Sequence, residues 1–144
     1  MRRGQKGQVN ELVGVGVAVV AGGVAVWVHY RWHRGLAEQK LRVRPKLSPT
    51  EFGRRYFGDR DARAKLAAEV REIISRFVPY SLDGLHPQDQ FVEDLHMDAL
   101  DSMSTVELVL EIEKRYGIDI PDEEAERVRT VGELVDYLDH RLNG

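Results

Sequence analysis

The stretch from Met97 to Glu113, MDALDSMSTVELVLEIE, holds two near-copies of one tripeptide back to back, Asp98-Ala99-Leu100 and Asp101-Ser102-Met103. Only the second carries a hydroxyl, and a serine in that place is either a site of covalent chemistry or a helix cap. Ser104 and Thr105 are neighbouring hydroxyls, but they fall inside the helix expected to begin near Ser102 and are poorer candidates. Other reactive residue types are sparse. The absence of cysteine excludes disulfides, thiolate metal sites and a cysteine nucleophile. His29 and His33 stand four apart, as metal ligands on a helix can, yet no third ligand accompanies them and they read as flanking residues. His86 and His96 read as loop histidines. No nucleotide-binding glycine loop, catalytic triad or metal-ligand cluster is visible, and nothing points to a nucleic-acid partner.

The elements that must position Ser102 are helical. Ser48-Pro49-Thr50-Glu51 is a capping-box signature with proline at the first helical position, so a short helix is expected to run to about Tyr56 and to break at Gly58-Asp59. A second helix follows Asp61, with Leu66, Val70, Ile73, Ile74 and Phe77 on its apolar face and Lys65, Glu69, Arg71 and Glu72 elsewhere. The connection from Tyr80 to Asp101 is long, punctuated by Gly84 and Pro87, and Leu82, Leu85, Phe91 and Leu95 are expected to pin it to the core. From Ser102 a helix with Val106, Val109, Leu110 and Ile112 as its apolar face is expected to run to Tyr116 and end at Gly117. Ile118 and Ile120 are buried candidates, and PDEEAERV makes a short helical turn. Thr130-Val131-Gly132-Glu133 is a second capping box, opening a last helix with Leu134, Val135, Leu138 and Leu142 as core contacts. No alternating strand of useful length is present. The expected fold is all-α, a small bundle of three main helices plus one short one.

Charge divides the chain. Residues 1–46 carry nine Lys/Arg against Glu11 and Glu38, whereas residues 89–126 carry thirteen Asp/Glu against Lys114 and Arg115. Between Leu12 and Tyr30 lie nineteen residues without a formal charge. As a helix of ~1.5 Å per residue this run reaches about 28 Å, close to a hydrocarbon core of about 30 Å. Trp27, Tyr30 and Trp32 gather at one end, where amphipathic rings prefer an interface, and six Lys/Arg follow before Pro45 and at Lys46. The expectation is a single-pass transmembrane anchor over 12–30 with the C-terminal part cytoplasmic; a cleaved signal peptide is disfavoured because no small-residue cleavage site follows the run. The expected organisation is a tail at 1–11, the anchor at 12–30, a basic linker and short helix at 31–60, and a helical domain at 61–144.

From Asp101 to Leu138 the sequence, DSMSTVELVLEIEKRYGIDIPDEEAERVRTVGELVDYL, resembles the acyl carrier protein family without a gap. The shared pattern is Asp-Ser-Leu, a helix rich in Val, Glu and Leu, then Ile-Pro-Asp-Glu-Glu-Ala and a Thr-Val start to the final helix. FVEDL at 91–95 is the family's usual lead-in, and the resemblance covers about residues 62–142. It implies that Ser102, within Asp101-Ser102-Met103, holds 4′-phosphopantetheine through a phosphodiester. The terminal thiol of that group would carry acyl groups, and the chain itself would be no enzyme. A phosphate there would sit near free backbone N–H groups at the positive end of a helix dipole. The resemblance also implies docking of Glu107, Glu111, Glu113, Asp122, Glu123 and Glu124 against basic patches on a phosphopantetheinyl transferase and on acyl-transferring or acyl-modifying enzymes.

The sequence departs from the family just before the motif, where FVEDL is normally followed by two residues and then Asp-Ser-Leu. Aligned from the left, Ala99 takes the serine's place; aligned from the right, Ser102 keeps it and three extra residues fall in the loop. Three residues inserted in a helix would turn all that precedes them by about 300°, whereas in a surface loop they cost a fraction of a kcal/mol. The right-hand alignment is preferred. The expected function is a membrane-anchored acyl carrier for lipid or related biosynthesis. The alternatives are an aminoacyl carrier and a non-carrying helical adaptor with the same fold.

Overall fold

The computed structural model describes the backbone of residues 5–97 and 102–144, and the side chains of 22–29, 31–97 and 104–144. Asp98 to Asp101 lie outside the described residues, as do the side chains of Ser102 and Met103. The described helices are α1 (Gln5–Arg42), α2 (Pro49–Phe57), α3 (Asp61–Ile74), α4 (Ser102–Tyr116), α5 (Asp122–Ala125) and α6 (Val131–Asn143). No strand occurs among the described residues, only an isolated antiparallel bridge between Gln90 and Thr130. The chain divides into two units, Met1–Trp32 and His33–Gly144.

In the first unit, the described side chains of α1 are exposed. Val24, Val26, Trp27 and Val28 are exposed, and the Arg31 guanidinium lies over the Trp27 ring at 5.5 Å. Among the described residues, no helix is long and apolar enough to cross a membrane. That overturns the expected anchor over 12–30, and with it the cytoplasmic placement of the C-terminal part, which rested only on the charges flanking such an anchor. The same helix runs on through Arg31, Arg34, Glu38, Lys40 and Arg42.

The second unit is a helical bundle whose two predicted capping boxes both form. Ser48 Oγ accepts the Glu51 N–H at 3.3 Å while Glu51 accepts the Ser48 N–H at 2.7 Å. Thr130 and Glu133 make the same reciprocal pair at 3.1 and 3.0 Å. Hydrogen bonds from backbone N–H groups hold both glutamate carboxyls below the usual range. Helix α2 packs along α3, and α3 touches α4 and α6. Gly53 permits the first contact, since a Cβ there would collide with the Ala64 carbonyl.

Leu66, Val70, Ile73 and Ile74 are buried as their spacing requires, with Phe77 partly buried against them. Arg71, placed by the sequence on the polar face, is 3% exposed. Phe52 of α2 covers that side of α3, and the Arg71 guanidinium sits 5.6 Å from its ring and 3.4 Å from Asp83. Burial pulls the pKa of Arg71 down, and Asp83 opposes that.

Helix α4 differs more. Val109 and Ile112 face inward, but Val106 is 54% and Leu110 57% exposed, while Leu108 is only 4% exposed and Ser104 is buried. Positions 104, 108 and 112 form one stripe at a spacing of four, and 110 lies about 200° around the axis from 108. Leu142 is likewise exposed, in the last turn of α6, while Leu134, Val135 and Leu138 are buried. Gly117, at φ 65°, reverses the chain after α4 in the left-handed region that glycine adopts without strain.

Candidate functional site

Ser102 is the first residue of α4, and the first turn of that helix carries no acidic side chain. The first N–H groups of a helix have no intrahelical partner and lie at the positive end of its dipole. Of the neighbouring hydroxyls, Ser104 is buried and Thr105 faces a cavity, so neither is presented as a helix-start serine would be.

That cavity, of about 480 Å³, is open-sided and lies between α4, α5 and α6. Thr105 and Val106 line it within one turn of Ser102, and the α4 wall continues to Glu113. Phe91, Leu108, Ile112, Ile120 and Leu134 give it a largely apolar wall. A space of this size and largely apolar lining suits a flexible apolar ligand, with Glu113, Asp122 and Glu126 also among its walls.

The loop before Ser102 is held by its own backbone. Leu95 N–H and Asp94 N–H both donate to Gln90 O, His96 N–H donates to Val92 O, and Met97 N–H donates to Phe91 O. Tyr80 Oη donates to Leu95 O from a buried position, and burial raises the Tyr80 phenol far above its usual range. His96 adopts φ 50°, turning the chain immediately before Met97, whose side chain is fully buried. The loop is also tied to the start of α6, where Phe91 N–H donates to Arg129 O, Val131 N–H to Asp89 O and Gly132 N–H to Pro87 O.

The six acidic residues expected at a docking surface fall into two groups. Glu107, Asp122 and Glu123 are exposed. The others have tasks inside the fold. Glu111 pairs with Arg76 at 3.1 Å, Glu113 Oε1 accepts the Ile120 N–H at 2.7 Å, and Glu124 accepts the Tyr137 hydroxyl at 2.6 Å. Burial, then this contact with Glu124, raises the Tyr137 phenol.

The histidines do not gather into a site. His86 packs its ring edge-on against Tyr56 at 4.9 Å, and His33 lies 4.8 Å from His96. Among the described residues, no group of three or more His, Asp or Glu is arranged to hold a metal ion.

Sequence reasoning missed Asp89. Its carboxylate is 2% exposed and accepts Arg44 Nη1 at 2.6 and 2.9 Å and the His86 N–H at 2.9 Å. Lys40 pairs with Asp94. The basic segment read as a membrane flank thus spends these cations on the loop before Ser102. No local pattern links positions 45 to 54 residues apart, so the pairing is visible only in the fold.

A family model described as a phosphopantetheine attachment site matches residues 68–138. An acyl carrier protein from Thermosynechococcus vestitus is 32% identical over 80 residues, which span 56% of this chain and 95% of that relative. The family match takes in the second half of α3, the loop, α4, α5 and most of α6, and leaves α1 and α2 outside.

Proposed function

Because the chain belongs to the acyl carrier protein family, whose members are carriers rather than enzymes and bear covalent 4′-phosphopantetheine, we propose that Ser102 is its attachment residue and an acyl chain its cargo. One observation carries the choice of cargo. The apolar cavity begins within a turn of Ser102 and runs along α4, so a chain tethered there gains by leaving water. An aminoacyl cargo has less apolar surface to place against such walls. The thiol at the end of the bound group supplies the thioester chemistry; this chain's residues hold and present it. Asp101 and Met103 flank the attachment point as parts of the recognised motif, and residues 61–144 form the carrier module. The pathway is lipid or related biosynthesis, in keeping with an apolar acyl cargo.

Partners are a phosphopantetheinyl transferase and acyl-handling enzymes. Exposed Val106 and Leu110, bordered by Glu107, Asp122 and Glu123, offer them an apolar contact with an acidic margin. Glu111, Glu113 and Glu124 contribute charge to that field while serving their internal contacts.

Coexpression with a broad-specificity transferase, followed by intact-mass measurement, tests the reading. The expected result is a gain of one phosphopantetheine, abolished by Ser102→Ala and retained in Ser104→Ala. A wild-type chain left unmodified, or a gain that survives Ser102→Ala, would sink it and favour a non-carrying adaptor.

A further inference from the structure

The segment from His33 to Leu47 lies outside the family match, yet it is built into the loop that leads to Ser102. Ala37 and Leu41 are buried in the same core as Leu85, Phe91 and Leu95. Leu47 N–H donates to Asp83 O at 2.8 Å, and Arg44 Nη1 donates to Gly84 O at 3.3 Å as well as to Asp89. Gly84 approaches Leu41 so closely that any Cβ would collide with its carbonyl. Both loop carboxylates that bond to backbone N–H groups, Asp89 and Asp94, take their counter-charge from this segment. Lys40 reaches Asp94 and stands 3.9 Å from Asp89, which Arg44 neutralises directly. A carboxylate as buried as Asp89 is tolerated only with a paired cation, and no other is offered to it among the described contacts.

We propose that residues 33–47 act as a built-in clamp on the loop at 83–97, with Lys40 and Arg44 as positioning residues that set how readily a transferase can take Ser102. The inference rests on Ser102 being the attachment residue only for its kinetic consequence; the clamp itself is a property of the fold. Four residues stand between Met97 and Ser102 in the sequence, so the clamped loop ends close to the start of α4 along the chain. With the clamp released, only a fraction of molecules presents the loop in its ordered form. The apparent affinity of the transferase falls by that fraction, while turnover of the bound complex is unchanged.

The test uses the full chain in three forms: wild type, Lys40→Gln, and the double variant Arg44→Gln with Asp89→Asn. The double variant leaves no orphaned buried charge, so it remains folded. Amide exchange is followed by mass spectrometry, and transferase kinetics are measured with coenzyme A. We expect exchange within 86–97 to quicken about tenfold in the double variant while the middle of α6 keeps its protection, and KM for the carrier to rise about tenfold with kcat unchanged. Lys40→Gln alone, which leaves Arg44 on Asp89, raises KM less than the double variant does. Unchanged exchange and KM in the double variant would overturn the clamp, as would a uniform loss of protection across the bundle. A wild-type chain that takes no phosphopantetheine overturns the assignment of Ser102 instead, and the exchange measurement still decides the clamp.

Discussion

Replacing Gly84 by alanine sets two opposed effects against each other. The substitution restricts the unfolded chain and, where the backbone permits a side chain, stabilises by about 0.4–1 kcal/mol. Gly84 permits it conformationally, for among the described glycines only Gly117 has a positive φ. Space is another matter. A Cβ at Gly84 would lie 2.8 Å from the Leu41 carbonyl carbon and 3.1 Å from its Cα, and closer still to the oxygen, where carbon atoms settle at about 3.5–4.0 Å. These are backbone atoms of a buried residue, so relief requires moving the end of α1 away from the loop. Overpacking of this kind costs about 1–3 kcal/mol, and the balance is a net loss of about 1–2 kcal/mol, or roughly 4–10 °C in Tm for a unit of this size. Gly35 is the control. It lies within α1 with open space around its Cβ position, so Gly35→Ala is expected to stabilise, by up to about 1 kcal/mol. Urea unfolding of the two variants and the wild type at equal m-value gives the comparison. A Gly84→Ala chain as stable as wild type, or more so, would refute the close approach of Leu41 to the loop.

The register of α4 yields a paired prediction. Leu108→Ala is expected to cost about 2–5 kcal/mol, and Leu110→Ala to stay within about 0.5 kcal/mol, in urea unfolding; the reverse order would mean the helix is rolled by half a turn. Acid sensitivity follows from Asp94. Burial raises its carboxyl, but the Gln90 N–H and Lys40 outweigh that and hold it below its ordinary value of 3.8. A depressed folded pKa stabilises above 3.8 and loses that contribution as pH falls through the folded value. Tm measured between about pH 5 and 2 should therefore fall less steeply in Lys40→Gln than in wild type, and parallel curves would contradict the pairing.

Local signals were the most legible part of the sequence. Ser48 with Glu51 and Thr130 with Glu133 specify helix starts because each box is closed by residues three apart, and both form. The apolar face of α3 follows from its period. The face of α4 did not, because Val106, Val109 and Leu110 keep a helical spacing as good as that of the true stripe. Ser104, which belongs to the true stripe, looks polar in sequence. Tertiary cover explains Arg71, whose burial depends on Phe52 arriving from another helix. The acids on and after α4 read as one docking surface, though Glu113 is occupied with the Ile120 N–H, a contact set by the turn at Gly117. The uncharged run at 12–30 satisfied a length rule for membrane spans, whereas among the described residues no helix is long and apolar enough to cross a membrane. The motif around Ser102 reads by resemblance, and the three residues before it, Asp98 to Leu100, lie outside the described residues.

The hydrogen bonds between Asp89–Phe91 and Arg129–Val131 join positions about forty apart in the chain. Contacts so distant in sequence close late, after the elements between them have formed. While the chain is being synthesised, the loop before Ser102 has its upstream partners, Lys40 and Arg44, long before it has those at the start of α6. If Ser102 is the attachment residue as proposed, a transferase meets the completed loop only once residues beyond Gly132 have emerged and folded back. Synthesis order alone would then keep half-made chains from being loaded.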